Sequence, residues 1–218
     1  MRQLNSVIMK TILSMTIFVL TAWNIMAQSQ AETYIKEAQG FLAQKNYKQA
    51  QLSLQDAIND INTLVAGQIA DAMPAEINGL KASDDSDVNT AGLGMMGGGF
   101  QISKSYQHPS KKENNAEVQI LGNSPMIASI NMFMGNPAMM GEGYKSVRVG
   151  NYRSIFKNEM EDYYDDNGNT KKIRASEFQI VMGQNLITIK ANGFASEQEE
   201  IAFVSKLDLD KLKGLLGE

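Results

Sequence analysis

The stretch Phe178-Gln-Ile-Val-Met-Gly-Gln-Asn-Leu-Ile-Thr-Ile-Lys190 decides how the second half of the chain is read. Phe178, Ile180 and Met182 recur at every second residue. Leu186, Ile187 and Ile189 form a second apolar run, and Gly183-Gln184 lies between the two. Period two is the spacing that puts side chains on one face of a strand. A two-residue connection containing Gly joins neighbouring strands as a hairpin, and so short a turn implies antiparallel pairing.

Working upstream, Gly150-Asn151 separates a strand marked by Tyr144, Val147 and Val149 from one over Tyr152 to Phe156. Asp166-Asn-Gly-Asn169 is a further turn signal, because Asn and Gly tolerate the positive φ of hairpin turns. Phe100, Ile102 and Tyr106 mark the first strand, and Val118 and Ile120 the second. Two helical stretches interrupt the series. Ser124-Pro125 starts one with a capping Ser and Pro at the first helical position, running through Ile127, Ile130, Phe133 and Met134. Ser196-Glu-Gln-Glu199 starts the other as a capping box, presenting Ile201, Phe203 and Val204. Asp208 or Asp210 caps a last turn ending in Leu212, Leu215 and Leu216. The expectation for residues 98–218 is an α+β domain, a mostly antiparallel sheet flanked by helices.

Residues 28–74 read as a helical hairpin. Tyr34, Ala38, Phe41 and Leu42 share one helical stripe. Ala50, Leu54, Ala57, Ile58, Ile61 and Val65 share another. Lys45-Asn46 makes the turn and Pro74 closes the second helix. Residues 75–97 read as a connector with a small acidic cluster at Asp84, Asp85 and Asp87.

The first 27 residues have the features of a secretory signal peptide: Lys10, an apolar run from Thr11 to Trp23, and small residues at Ala27 and Ala31. Cleavage is expected after Ala27, with Ala31 as the alternative, and Met9-Lys10 also reads as a start. The run is shorter than the roughly 20 apolar residues a membrane span needs. The expected mature chain has 18 basic and 24 acidic residues, a net charge of −6. That balance argues against nucleic-acid or anionic-surface partners. With no Cys in 218 residues, thiol chemistry, disulfides and a lipoprotein anchor are excluded. The expectation is a periplasmic protein of a Gram-negative cell that does not span the membrane.

Three resemblances follow from these residues. Ala38, Phe41, Tyr47, Ala50, Leu54 and Ala57 fall where a single tetratricopeptide repeat places its small and large apolar residues. The order of elements around Ser124-Pro125, Ser196 and Leu207-Asp-Leu-Asp-Lys-Leu212 resembles the PsbP/Mog1-type α/β/α sandwich. The hairpin ending in Asn46-Tyr-Lys-Gln-Ala50, followed by Leu93-Gly-Met-Met-Gly-Gly-Gly99, resembles an uncharacterised group of exported Gram-negative proteins. These resemblances imply architecture, export and an accessory or binding role, and they assign no active site.

The motifs that could carry chemistry are in the wrong context. Gly92-Leu-Gly-Met-Met-Gly97 matches G-x-G-x-x-G, but it lacks the preceding strand and following helix that bring a helix N-terminus to a pyrophosphate. Asp165-Asp-Asn-Gly-Asn169 resembles a calcium loop, yet an EF-hand register puts Tyr163 and Arg174 at the first and last ligand positions. The one His, His108, is expected in an exposed loop without a nucleophile or carboxylate partner. A non-catalytic protein with no cofactor is therefore expected.

Met is the unusual residue. Seven of the ten Met beyond residue 27 fall between residues 95 and 140. They can fill a helix–sheet core or form an adaptable surface for a protein partner in the envelope. They can also supply soft thioether ligands for Cu(I). Gly94, Met95, Met96, Gly97, Met132, Met139 and Met140 make up the expected interaction surface. Met132, Met134, Met139 and Met140 are the candidate copper ligands in the alternative of a periplasmic small-ligand or Cu(I) carrier.

Overall fold

The computed structural model describes residues 29–83, 87–89, 99–123 and 127–218, with backbone alone at 87–89. The expected signal peptide, Gly94 to Gly97, Asp84, Asp85 and the Ser124-Pro125 cap lie outside these residues. The chain divides into two compact units, Met1–Ala57 and Ile58–Glu218.

Helix α1 spans Gln30–Ala43 and α2 spans Tyr47–Ala72, so α2 contributes to both units. The turn between them forms as its residues require. Lys45 takes a left-handed φ of 57°, and Asn46 Oδ1 accepts the Gln49 N–H as a helix cap. In the first unit the buried positions are small: Ala31 and Ala38 on α1, Ala50, Ser53 and Ala57 on α2. The expected stripe is corrected here. Leu54, Ile58 and Ile61 are exposed, while Ser53 and, further on, Asn62, Ala66 and Ile69 are buried. Apolar periodicity finds a helix but does not by itself choose which flank turns inward.

The second unit holds one antiparallel sheet. Among the described residues its nine strands are β1 (Glu76–Ile77), β2 (Leu80–Ala82), β3 (Asp87–Asn89), β4 (Phe100–His108), β5 (Lys111–Gly122), β6 (Tyr144–Val149), β7 (Tyr152–Tyr164), β8 (Thr170–Met182) and β9 (Asn185–Asn192). They lie in the order β1-β2-β4-β5-β9-β8-β7-β6, with β3 also paired to β4. The α+β expectation holds. The expected connector contributes β1 to β3, two- and three-residue strands too short to show a period. The decisive stretch folds as read, with Met182 opposite Asn185 across Gly183-Gln184 and Phe178 opposite Ile189. Val149 likewise stands opposite Tyr152 across Gly150-Asn151.

Two strands are longer than the apolar pattern suggests. β7 runs to Tyr164 and β8 starts at Thr170. Their outer halves carry few apolar residues and no regular apolar alternation, and they are held by ladder pairing, which needs no apolar face. Asp165 closes the turn: its Oδ1 accepts the N–H groups of Asn167 and Asn169, and its Oδ2 accepts Asn169 Nδ2. Those bonds, the Asn169 side chain foremost, hold its carboxyl below the usual range. The residues that resembled a calcium loop are thus a self-capped hairpin turn. His108 is also corrected: it ends β4, half-buried, and its Nδ1 accepts the Ser110 N–H.

One face of the sheet is covered by the C-terminal part of α2, by α4 (Glu197–Val204) and by α5 (Leu209–Leu215). The core there joins Ile102, Tyr106, Val118, Phe178, Ile189 and Phe203, with Tyr106 and Phe203 edge-to-face at 5.5 Å. Lys104 points into this layer and donates to the last-turn carbonyls of Ala70 and Met73, both at 3.1 Å. A cation at a helix C-terminus satisfies orphan acceptors and meets the negative end of the dipole. The Tyr106 hydroxyl donates to Pro74 O at 2.9 Å, and burial pushes its pKa up to about 12. Ser196 caps α4 as expected, and Asp208 rather than Asp210 caps α5. Asp210 instead accepts the Tyr152 hydroxyl at 2.6 Å.

Candidate functional site: the open polar face of the sheet

The opposite face is covered at one corner by α3 (Ile127–Met134) and the 3₁₀ turn Pro137–Met140. There Ile127 and Ile130 pack with Ile155 and Leu186 in a separate small cluster. Leu121 and Val181 join its edge, so the apolar row of this face ends beneath the helix.

Beyond the helix the rows are polar. Strand register sets Ser105, Glu117, Lys190, Glu177, Lys157 and Tyr144 side by side across five strand boundaries. Charges alternate from Glu117 to Lys157: Lys190 stands between Glu117 and Glu177, and Lys157 between Glu177 and Tyr144, the favourable cross-strand order. Ser103 Oγ donates to Glu117 Oε1 at 2.6 Å, and Gln179 Nε2 donates to Glu177 Oε1 at 2.6 Å. Lys157 Nζ binds Glu159 Oε2 at 2.8 Å and lies 5.7 Å from the Tyr144 ring centroid. The Glu159 carboxylate holds the Lys157 pKa above the usual lysine value. Gln179 Oε1 is buried without a hydrogen-bond partner among the described residues. Tyr144, Lys157, Glu159, Glu161, Glu177 and Lys190 line a shallow open cleft of about 320 Å³. Such a surface can exchange ion pairs and hydrogen bonds with a partner. Among the described residues no group of three or more His, Asp or Glu is disposed to hold a metal.

The expected site residues divide. Met132 and Met139 are 75% and 70% exposed beside this face. Met134 and Met140 pack against the α3 cluster. The four candidate copper ligands thus occupy two environments. The charged row was missed in the sequence because its members are 13 to 40 residues apart, at positions 117, 157, 177 and 190. The available signal was the polar half of the same period-two alternation that marked the strands.

The chain matches no family model, no curated protein and no solved structure. No described helix is long and apolar enough to cross a membrane.

Proposed function

We propose that this is an exported, non-catalytic binding or accessory protein of the Gram-negative envelope, acting through the open sheet face and the adjoining Met132–Met139 surface. The observation that carries the reading is the asymmetry of the sheet. Among the described residues, one face is covered by α2, α4 and α5, while the other is covered only at a corner. Exposed thioethers beside charged side chains suit an adaptable contact surface. Helices on both faces favour the PsbP/Mog1-type sandwich as the finer description, and the hairpin spacing favours kinship with a tetratricopeptide repeat. The basic flank, apolar run and small-residue exit at the N-terminus favour export.

Photo-crosslinking residues placed at Met139, Lys190 and, as a control on the other side of the sheet, Asp210 test this in the envelope. Adducts to one protein from Met139 and Lys190 but not from Asp210 are expected. Absence of adducts from both Met139 and Lys190 overturns the reading.

A further inference from the structure

β7 outruns one of its neighbours. β6 pairs with it only as far as Lys157, opposite Tyr144, whereas β8 stays paired to Tyr164. From Glu159 to Tyr164, β7 is therefore paired on one side only among the described residues. Alternate residues there turn N–H and C=O groups away from β8, as at any sheet edge. The edge is accessible, with Met160 55% and Tyr164 68% exposed. From Asn158 to Tyr164 there is no Pro, no Lys and no bulge to blunt it, and the charges it carries are acidic.

Charge identifies what fits it. The segment carries Glu159, Glu161 and Asp162 and no basic residue. The basic residues across the ladder on β8 are already engaged: Lys171 with Glu113, Lys172 with Asp162 and Arg174 with Glu200. Glu159 holds Lys157, and Glu161 has no ion pair among the described residues. Glu159 and Glu161 share one strand face, and both open onto the cleft with Glu177. A second copy paired antiparallel about the centre of this segment sets Glu161 against Asp162, and like charges directly opposite are destabilising.

We propose that Glu159–Tyr164 is a strand-addition site for an extended, basic segment of a partner protein, with Lys or Arg at alternate positions. The main-chain ladder supplies the pairing. The alternate cations reach Glu159, Glu161 and the cleft, and the intervening side chains lie beside Met160. This rests on the reading of the protein as a binding module and names the partner's chemistry.

The probe is a fluorescein-labelled peptide of about ten residues alternating Lys and Val, a strand's reach, titrated against the full chain. Saturable binding is expected at an ionic strength of about 0.15 M. Glu159→Lys with Glu161→Lys weakens it about tenfold or more. Glu37→Lys with Asp56→Lys changes net charge equally on the exposed surface of α1 and α2 and leaves it unchanged. Hydrogen exchange slows on binding within Glu159–Tyr164. Absence of binding, equal loss in the two double variants, or protection confined to other strands overturns the proposal. Failure here with crosslinks intact at Met139 and Lys190 removes this edge alone. Loss of those crosslinks removes the binding-module reading itself.

Discussion

Glu200 offers the sharpest test of how α4 is held to the sheet. Its carboxylate is 0% exposed, whereas the Arg174 side chain bound to it is 25% exposed. Arg174 Nε and Nη2 donate to its two oxygens at 3.1 Å each, and Ser176 Oγ donates at 2.8 Å. Asn158 Nδ2 extends the network to Ser176 Oγ at 2.8 Å. The unequal exposure makes the two single substitutions unequal. Arg174→Met strands a buried carboxylate with the Ser176 hydroxyl as its remaining side-chain donor, a loss of about 3–5 kcal/mol. Glu200→Leu leaves Arg174 a route to water and abandons only Ser176, a loss of about 1–3 kcal/mol. The pair together replaces an ion pair by apolar contact and sits near the milder single variant. Urea unfolding followed by far-ultraviolet circular dichroism, with unchanged slope, gives all three values. The double-mutant cycle then isolates the coupling. Equal losses for the two single variants, or a loss under about 1 kcal/mol for Arg174→Met, would refute the argument.

Further predictions concern the layer between α2 and the sheet and two glycines. Tyr106 favours its neutral form when folded, so the native state holds its proton longer than the unfolded chain. The stability this gives is complete below the ordinary tyrosine pKa of 10.0 and is lost as pH rises to about 12. Unfolding free energy measured across that window falls by roughly 2–3 kcal/mol, and Tyr106→Phe flattens the fall. Lys104→Met removes two donors from the end of α2 and lowers stability by about 1–3 kcal/mol in urea. At Gly193, φ is +70° and an added Cβ collides with the backbone carbonyl of Glu113. Gly193→Ala therefore costs about 3 kcal/mol or more in the same assay. Gly40, inside α1 with open space around it, behaves oppositely, and Gly40→Ala stabilises by about 0.5–1 kcal/mol.

The sequence shows most where local chemistry and burial agree. Phe178 to Ile189 reads as a hairpin because two apolar runs and one Gly connection require the same register. Ser196 and Asp208 mark helix starts because their side chains satisfy amides three residues ahead. It misleads where burial depends on a distant neighbour. Leu54, Ile58 and Ile61 are large and periodic, yet the buried line of α2 runs through Ala50, Ser53 and Ala57. Small residues go inside where other chain segments approach closely, a fact of tertiary distance that helical spacing does not contain. The outer halves of β7 and β8 were missed for a related reason. Their strand character comes from ladder pairing with each other rather than from an apolar face, and Asn158-Glu-Met-Glu-Asp162 shows no apolar alternation.

The candidate site was hidden by the same separation of scales. Glu117, Lys157, Glu177 and Lys190 look like scattered surface charges until register sets them in one row. Once they are in a row, their charges cancel in pairs, so the middle of the face is electrostatically self-sufficient and offers an incoming charge little. What is left over lies at the margin. Subtracting the ion pairs of Lys157, Lys171, Lys172 and Arg174 leaves Glu161 without a counter-charge among the described residues, on the stretch of β7 that β6 fails to cover. Unspent charge and unpaired backbone therefore coincide on the same six residues. A sequence count of acids and bases averages over that coincidence, and only the strand register exposes it.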